Sequence, residues 1–234
     1  MTKSNIGLIG LGTMGAMLAL NIAEKGFGIS VFNRTTATMK SFFDNAGELA
    51  AKITPCETLE ALITTIERPR AIILMVPAGA AVDEQIAALR LLLDADDMII
   101  DAGNANFNDT NRRAFEAAAA GVQFLGIGVS GGEEGARHGP SIMGGGPEDS
   151  WNRVAHILTA ISAKYDGSPC ATWMGAGGAG HFVKTVHNGI EYADMQIISE
   201  AFDLLSKGMG YSELDIARIF KEWSSSELSS FLIE

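Results

Sequence analysis

The sequence predicts an α/β fold in which a doubly wound parallel sheet is followed by the first helices of an all-α domain. Three observations predict it. Short apolar runs alternate with segments long enough for a helix, a glycine-rich motif follows the first run, and a stretch almost free of helix breakers follows a second glycine cluster. Near-continuous apolar strands separated by helices indicate a parallel sheet covered on both faces.

Five apolar runs supply the central strands of this sheet. Each is short and is separated from the next by a segment that could hold a helix, which is the rhythm of repeated βαβ units. The runs are residues 6–9, 29–32, 72–76, 98–100 and 124–127. Two later runs, 141–143 and 171–173, would add strands. We expect this first domain to cover residues 1–177.

The pattern becomes helical after the glycine cluster at 175–180. Residues 181–207 contain no proline and only Gly189 as an interior breaker, so they predict one long helix. Gly208 and Gly210 are expected to end it. Ser212, followed by acidic residues, predicts the start of another helix. Residues 178–234 therefore form the start of a second, helical domain.

Composition limits the classes of function. With 234 residues, 47% of them hydrophobic, the chain can bury a sizeable core, and its net charge of −11 disfavours a nucleic-acid surface. The apolar runs fall short of the roughly 20 residues that span a bilayer, and the N-terminus lacks a signal-peptide pattern. We expect no membrane association and a cytoplasmic location. Cys56 and Cys170 show neither metal-ligand nor redox spacing and are interpreted as reduced thiols.

A glycine fingerprint lies between the first strand and a helical segment. Its glycines permit a tight turn, close approach of the backbone to a pyrophosphate and close helix packing, while the helix N-terminus supplies amide donors. In this context the motif predicts dinucleotide binding by a Rossmann-like domain, the alternative being a structural turn. The loop residues expected to bind cofactor are Gly10, Leu11, Gly12, Thr13, Met14 and Gly15.

The end of the second strand bears on the choice of cofactor. An NAD site places a carboxylate near this position, and none is present. The chain reads Asn33, Arg34, Thr35, and a guanidinium with amide and hydroxyl groups suits a ribose that carries a 2′-phosphate. We therefore expect NADP as cofactor, with NAD possible. The alternative is that Arg34 is only a solvated residue at a strand end.

A group of polar side chains recurs at helical spacing in the long helix. Lys184, Asn188 and Glu191 follow one another at intervals of four and three residues, so they project from one face, with His187 beside them. A Lys and a Glu at this spacing can simply be solvated. The glycines of segment 130–135 favour a functional reading, because they allow close approach of backbone to a polar ligand.

These residues resemble the 6-phosphogluconate dehydrogenase family. The matching strings are long, ordered and well spaced, and the resemblance runs across essentially the whole chain, including 109–110, 112–113 and 230–233. They are 128–137 (GVSGGEEGAR), 139–143 (GPSIM), 178–184 (GAGHFVK) and 187–192 (HNGIEY). The resemblance identifies the second segment as the start of the family's helical catalytic and dimerisation domain, and it implies a homodimer for the full-length protein.

The resemblance implies oxidative decarboxylation of 6-phosphogluconate to ribulose 5-phosphate and CO2, with NADPH formed and no metal required. Lys184 would act as general base on the 3-hydroxyl and Glu191 as the acid that protonates carbon 1. The substrate would be held by Asn104, Ser130, Gly131, Gly132, His187, Asn188 and Tyr192. Val76, Pro77, Ala78 and Asn104 would touch the cofactor. Asn104 could instead cap a turn, and Tyr192 could be a core aromatic.

The chain departs from the family pattern at several places. Gly12 stands where Ala is usual, Pro77 and Thr38 stand at or near positions that are usually cationic, and Ala176 replaces a common acid. The absence of cationic side chains at these two positions weakens the expectation of strict selectivity for NADP over NAD. The family's chains are also longer, and their remaining helical domain supplies cations to the substrate phosphate. We expect this chain to bind cofactor with little or no activity alone.

Two other functions fit parts of the pattern. A 3-hydroxyacid dehydrogenase shares the fold, the fingerprint and the catalytic Lys, but a simple hydroxyacid oxidation has no use for the acid at Glu191. A dinucleotide-binding module without turnover also fits, because fold alone does not establish function.

Overall fold

The computed structural model describes residues 3–233, in two compact units that divide after Lys184. The strands are β1 Ile6–Ile9, β2 Ile29–Phe32, β3 Ile53–Cys56, β4 Ala71–Leu74, β5 Met98–Asp101, β6 Gln123–Ser130, β7 Ser141–Gly145, β8 Lys164–Tyr165, β9 Ser168–Pro169 and β10 Ala171–Gly175. The helices are α1 Thr13–Glu24, α2 Thr36–Asp44, α3 Leu59–Thr65, α4 Ala80–Leu89, α5 Phe107–Ala119, α6 Gly132–His138, α7 Glu148–Ile161, α8 Ala179–Asp203 and α9 Glu213–Trp223.

The first unit contains an eight-stranded sheet with the order β10-β7-β6-β5-β4-β1-β2-β3. Strand β1 lies between β2 and β4 and is parallel to both. The chain therefore builds the sheet outward from β1 in one direction and, from β4 onward, in the other. Ligands of such sheets bind outside the carboxyl ends of the strands at this switch point. The predicted doubly wound fold is confirmed, and it directs attention to the loops after β1 and β4.

Two features of the sheet differ from the expectation. Strand β7 runs antiparallel to β6, because the short helix α6 returns the chain beside β6 without the long crossover that a parallel neighbour needs. Strand β3 was not anticipated from the sequence. It is an edge strand that contains Pro55 and has only Ile53 and Cys56 buried, so it lacks the continuous apolar run of the inner strands.

Apolar side chains cover both faces of the sheet, as a doubly wound fold requires. Along β4, Ile73 joins one buried cluster while its neighbours Ile72 and Leu74 join the other. This follows from the alternation of side chains along a strand. One cluster also includes residues of α1 and α7, and the other includes residues of α3, α4 and α5. Burial of a Leu or Ile side chain contributes about 1.5–3 kcal/mol, so this packing holds the strand ends in place.

The second unit comprises the rest of α8, a π-helical turn at Leu204–Gly208, and α9. The long helix predicted for 181–207 is thus confirmed, with its last turn widened. Helix α9 begins after Ser212, whose Oγ accepts a hydrogen bond of 3.3 Å from the Asp215 amide. Several large apolar side chains of this unit are exposed, among them Ile190, Tyr192, Ile197, Leu204, Leu214 and Phe231. Within 3–233, no helix has the length and apolar character needed to cross a bilayer.

Candidate active site

The glycine loop connects β1 to α1 at the carboxyl edge of the sheet. Gly10 has φ +100°, and a Cβ built on it would collide with the carbonyl oxygen of Met75. A Cβ on Gly15 would collide with the carbonyl oxygen of Gly10, so the start of α1 packs directly against the turn. Gly12 differs, because its φ is −69° and nothing lies within 4 Å of its Cβ position. Gly10 and Gly15 are therefore required by the turn, and Gly12 faces open space.

The N-terminus of α1 is prepared for an anion. Its N-cap residue, Gly12, offers no side-chain cap, and no acidic residue lies in the first turn. The first amide groups of the helix thus have no side-chain cap, and the helix dipole favours negative charge there. Asn33 braces the loop, because its Oδ1 accepts a 2.9 Å hydrogen bond from the Leu11 amide. This arrangement suits a pyrophosphate.

A cavity of about 260 Å³ opens between the glycine loop and the end of β2. Arg34, with Asn33 and Thr35, lines it on one side, and Glu84 and Gln85 of α4 line it on another. The other lining residues are Ile9, Gly10, Gly12, Phe32, Met75, Val76, Pro77 and Ala81. Among residues 3–233, Arg34 makes no ion pair, so its guanidinium is available to an anionic ligand in this cavity.

A second cavity of about 350 Å³ opens on the other side of the glycine loop and reaches Asn104. It is lined by Gly12, Thr13, Met14, Gly15, Met75, Val76, Pro77, Ala102, Gly103, Asn104 and Val129. Because the two cavities share Gly12, Met75, Val76 and Pro77, they adjoin. Together they bring most of the expected cofactor residues to one edge of the sheet. Leu11 and Ala78 line neither cavity, Leu11 being buried and Ala78 exposed.

Glycines bring the start of α8 against β6. A Cβ on Gly128 of β6 would stand 2.5 Å from the Cβ of Lys184, and a Cβ on Gly180 would collide with the carbonyl oxygens of Gly126 and Met143. This close packing explains why the glycines of the two sequence strings are needed. Lys184 is only 7% exposed and packs on the residue that precedes Val129 of the second cavity.

The residues expected to bind substrate fall into two groups. Ser130 ends β6 in a buried position, and Gly131, with φ +127°, caps α6 and is followed by Gly132. In the second unit, His187 Nδ1 lies 3.3 Å from Asn188 Oδ1 and 3.6 Å from Glu191 Oε2. Tyr192 is 72% exposed, so it is not a core aromatic. Among residues 3–233, no group of three or more His, Cys, Asp or Glu is arranged to hold a metal ion.

The sequence analysis missed a buried charged cluster beneath the second cavity. Asp101 at the end of β5 is fully buried, and burial raises its pKa to about 6. Arg113 of α5 is buried and pairs with Asp83, whose pKa its hydrogen bonds lower to about 2. His181 Nδ1 lies 2.7 Å from Thr110 Oγ1, and burial lowers the pKa of His181 to about 4. The available signal was Asp101, a carboxylate directly after an apolar strand.

The raised pKa of Asp101 predicts a pH-dependent stability difference. The folded pKa, about 6, exceeds the ordinary value of 3.8, so the native state holds the proton more tightly than the unfolded chain between these values. Stability from this group therefore rises as pH falls through 6 and is fully present below 3.8. Asn cannot titrate. From about pH 7 to about pH 4, the free energy of unfolding of the wild type should rise by about 2.4 kcal/mol relative to Asp101→Asn.

Urea unfolding at a series of pH values measures this difference. The comparison with Asp101→Asn is needed because titration of His181 changes the free energy of unfolding in the opposite direction. Its folded pKa of about 4 lies below the ordinary 6.5, so it removes stability as pH falls across that interval. That contribution is common to both proteins and cancels in the difference. A difference that stays constant with pH would show that Asp101 titrates normally.

Two family models match the chain in succession. The NAD binding domain of 6-phosphogluconate dehydrogenase matches residues 5–175, and the 6-phosphogluconate dehydrogenase C-terminal domain matches residues 180–234. Decarboxylating 6-phosphogluconate dehydrogenases are similar along the whole chain. That of Aggregatibacter actinomycetemcomitans is 50% identical over 99% of this chain and 48% of its own length, and that of Drosophila melanogaster is 51% identical with the same coverage. The chain spans about half the length of the curated relatives it matches.

A solved structure of a 6-phosphogluconate dehydrogenase is also similar to this chain. Plasmodium falciparum 6-phosphogluconate dehydrogenase, studied in its apo form and in complex with NADP+ and with 6-phosphogluconate, is 42% identical and superposes with a TM-score of 0.94. The match covers 98% of this chain and 49% of that one. Mycobacterium tuberculosis 3-hydroxyisobutyrate dehydrogenase superposes with a TM-score of 0.78 at 22% identity, over 99% of this chain and 74% of that one, a likeness of fold alone.

Proposed function

Because the chain belongs to the 6-phosphogluconate dehydrogenase family, we propose that it supplies the cofactor site and the catalytic side chains for NADP-dependent oxidative decarboxylation of 6-phosphogluconate to ribulose 5-phosphate and CO2. The observation that carries the proposal is the position of Lys184. Its Cβ packs on Gly128 of β6, the residue before Val129, and both Val129 and Asn104 line the second cavity.

The two adjoining cavities fit a dinucleotide. The first would hold the adenosine half, with Arg34 and Thr35 at the 2′-phosphate, and the second would hold the nicotinamide half. The open N-terminus of α1 lies between them, where the pyrophosphate would be. The Plasmodium falciparum enzyme binds NADP+, and a single guanidinium at Arg34 supports NADP here as well. Loss of the other expected cations leaves NAD as a possible second cofactor.

Lys184 and Glu191 would divide the proton transfers. A neutral Lys184 accepts the proton of the 3-hydroxyl while hydride leaves carbon 3, and bound NADP+ supplies the hydride acceptor. The resulting 3-keto group takes up the electron pair as CO2 departs, and Lys184 returns its proton to that oxygen. Glu191 then protonates carbon 1 of the enediol while the neutral Lys184 takes the proton of the enol hydroxyl, which gives ribulose 5-phosphate. The two residues lie two turns apart on one helix, at intervals that share a face.

We assign the substrate contacts to Asn104, Ser130, Gly131, Gly132, His187, Asn188 and Tyr192. His187 lies beside Glu191 and would help to orient its carboxylate. The exposed apolar side chains of the second unit would be covered by further helical structure and by a second subunit, which supports a homodimer for the whole protein. We place the domain boundary near 178, because α8 begins at Ala179. Both cysteines are free thiols, which supports a cytoplasmic location.

Replacing Arg34 with alanine tests the cofactor assignment. The change should weaken NADPH binding about 10- to 100-fold, because it removes charge-assisted hydrogen bonds to the 2′-phosphate. NADH binding should change less than about threefold, since NADH carries no such phosphate. Nicotinamide fluorescence measures both affinities. Arg90→Ala is the matched control, because it removes the same charge from an exposed site that lines neither cavity.

Equal losses for NADPH and NADH in Arg34→Ala would mean that Arg34 does not read the 2′-phosphate. If the wild-type chain bound neither nucleotide, the dinucleotide site itself would be refuted. Turnover is tested separately, by NADPH formation with 6-phosphogluconate as described in the Discussion.

A further inference from the structure

One buried guanidinium fastens the loop that follows β4. Arg113 of α5 is 1% exposed, and its Nε and Nη2 donate to the two carboxylate oxygens of Asp83 at 2.8 and 3.0 Å. Nη2 also donates to the carbonyl oxygen of Gly79 at 2.9 Å. Gly79 is the N-cap of α4, so these bonds fix the point at which the loop with Val76 and Pro77 joins its helix.

The same guanidinium faces the loop that follows β5. Arg113 Nη1 lies 3.6 Å from Asp101 Oδ2, and Asp101 Oδ1 accepts a 3.2 Å hydrogen bond from the Gly103 amide. Within residues 3–233, neither Nη1 nor Oδ2 has a hydrogen-bond partner, so the ion pair between them is the polar contact that each atom makes. Asp101 thus ties Arg113 to the turn that presents Asn104.

Both loops need such fastening. Pro77, Ala78 and Asn104 are exposed, so burial in the core does not hold them. Helix α4, in contrast, is anchored by its buried side chains Val82 and Ile86, so its position does not depend on Arg113. Loss of Arg113 would therefore displace the loop residues that line the second cavity, where the two loops meet.

We propose that Arg113 is a positioning residue for the nicotinamide half of the dinucleotide, because it holds the loops after β4 and β5 in register across the second cavity. The inference rests on the proposed function of that cavity. It assigns to Arg113 an effect on cofactor binding that is separate from its contribution to folding.

The neighbouring Arg112 provides a matched control. Its Nη2 donates to the same Asp83 oxygen at 3.0 Å, and its Nη1 lies 3.3 Å from Glu116. Arg112 is half-exposed, and among the described contacts it bonds neither Gly79 nor Asp101. Arg112→Lys therefore removes a guanidinium hydrogen bond to Asp83 and leaves both loops fastened.

The test compares two probes on Arg113→Lys, Arg112→Lys and the wild-type chain. NADPH has a nicotinamide half, whereas adenosine 2′,5′-bisphosphate has only the groups expected in the first cavity. Lysine keeps the positive charge that Asp101 faces, but it lacks the planar fork that bonds several partners at once. Arg113→Lys should weaken NADPH binding about tenfold or more, and binding of the bisphosphate by less than about threefold. Arg112→Lys should change both by less than about twofold.

Circular dichroism and thermal unfolding report on folding in parallel. Should Arg113→Lys not fold, Asp83→Asn replaces it, because Asp83 is partly exposed and its loss weakens the same fastening. That variant should weaken NADPH binding about threefold and leave binding of the bisphosphate unchanged.

Equal losses for both probes, or no loss in a folded variant, would overturn the inference while leaving the proposed function intact. A wild-type chain that bound neither probe would overturn the proposed function, and the inference with it.

Discussion

Replacing Lys184 with methionine should lower the rate of NADPH formation from 6-phosphogluconate by about 10²- to 10⁴-fold, the range that a general base contributes. Methionine preserves the apolar stem that packs on Gly128 and removes the group that accepts the proton. Lys184 lies on α8 and is only 7% exposed. The loss should fall on kcat, because the lysine acts in the transition state.

The rate is measured on this chain joined to the remaining half of the Aggregatibacter actinomycetemcomitans relative, because the chain covers 48% of that protein. Lys207→Met is the control, since Lys207 is exposed in the π-helical turn and pairs with Asp203. NADPH affinity should stay within about threefold of wild type in both variants. A Lys184→Met protein that retained most of its kcat would exclude Lys184 as the base.

Alanine at Gly10 should weaken NADPH binding by about 100-fold or more, whereas alanine at Gly12 should change it by less than about threefold. The two glycines lie in the same motif but differ in backbone conformation and in the space available for a Cβ atom. At Gly10, φ is +100° and a Cβ would collide with the Met75 carbonyl oxygen, so the turn itself must move. At Gly12, φ is −69°, nothing lies within 4 Å of the Cβ position, and alanine is the usual residue in the family pattern.

Nicotinamide fluorescence on the chain as given measures both affinities, and thermal unfolding shows whether each variant is folded. Gly10→Ala should also lower the free energy of unfolding by about 1–3 kcal/mol, the usual cost of a strained backbone position. Equal effects at Gly10 and Gly12 would mean that the motif is a structural turn that does not shape a ligand site.

Most of the fold could be predicted from the sequence because its signals are local. The apolar runs at 6–9 and 29–32 coincide with the observed strands β1 and β2, because buried parallel strands consist of short continuous runs of apolar residues. Strand β3 was not predicted, because an edge strand needs fewer apolar residues. The antiparallel direction of β7 was not predicted, because it depends on where α6 returns the chain, and no local sequence pattern encodes that position.

The candidate site divides in the same way. The glycine loop and Arg34 are contiguous motifs, and the structure brings them to one cavity. Asp101 and Arg113 come together only through the packing of α5 on the sheet, so their partnership has no sequence spacing to reveal it. The contact of His181 with Thr110 likewise joins α8 to α5 across seventy-one positions of sequence.

The most direct test of the central claim is the ratio of CO2 released to NADPH formed, with 6-phosphogluconate as substrate and the chain joined to the remaining half of a relative. NADPH is followed at its nicotinamide absorbance and CO2 by trapping. We expect equal amounts of both in the wild type, and little of either in Lys184→Met. Formation of NADPH without CO2 would contradict the assignment of Glu191 and the decarboxylation, and would point to a simple hydroxyacid oxidation.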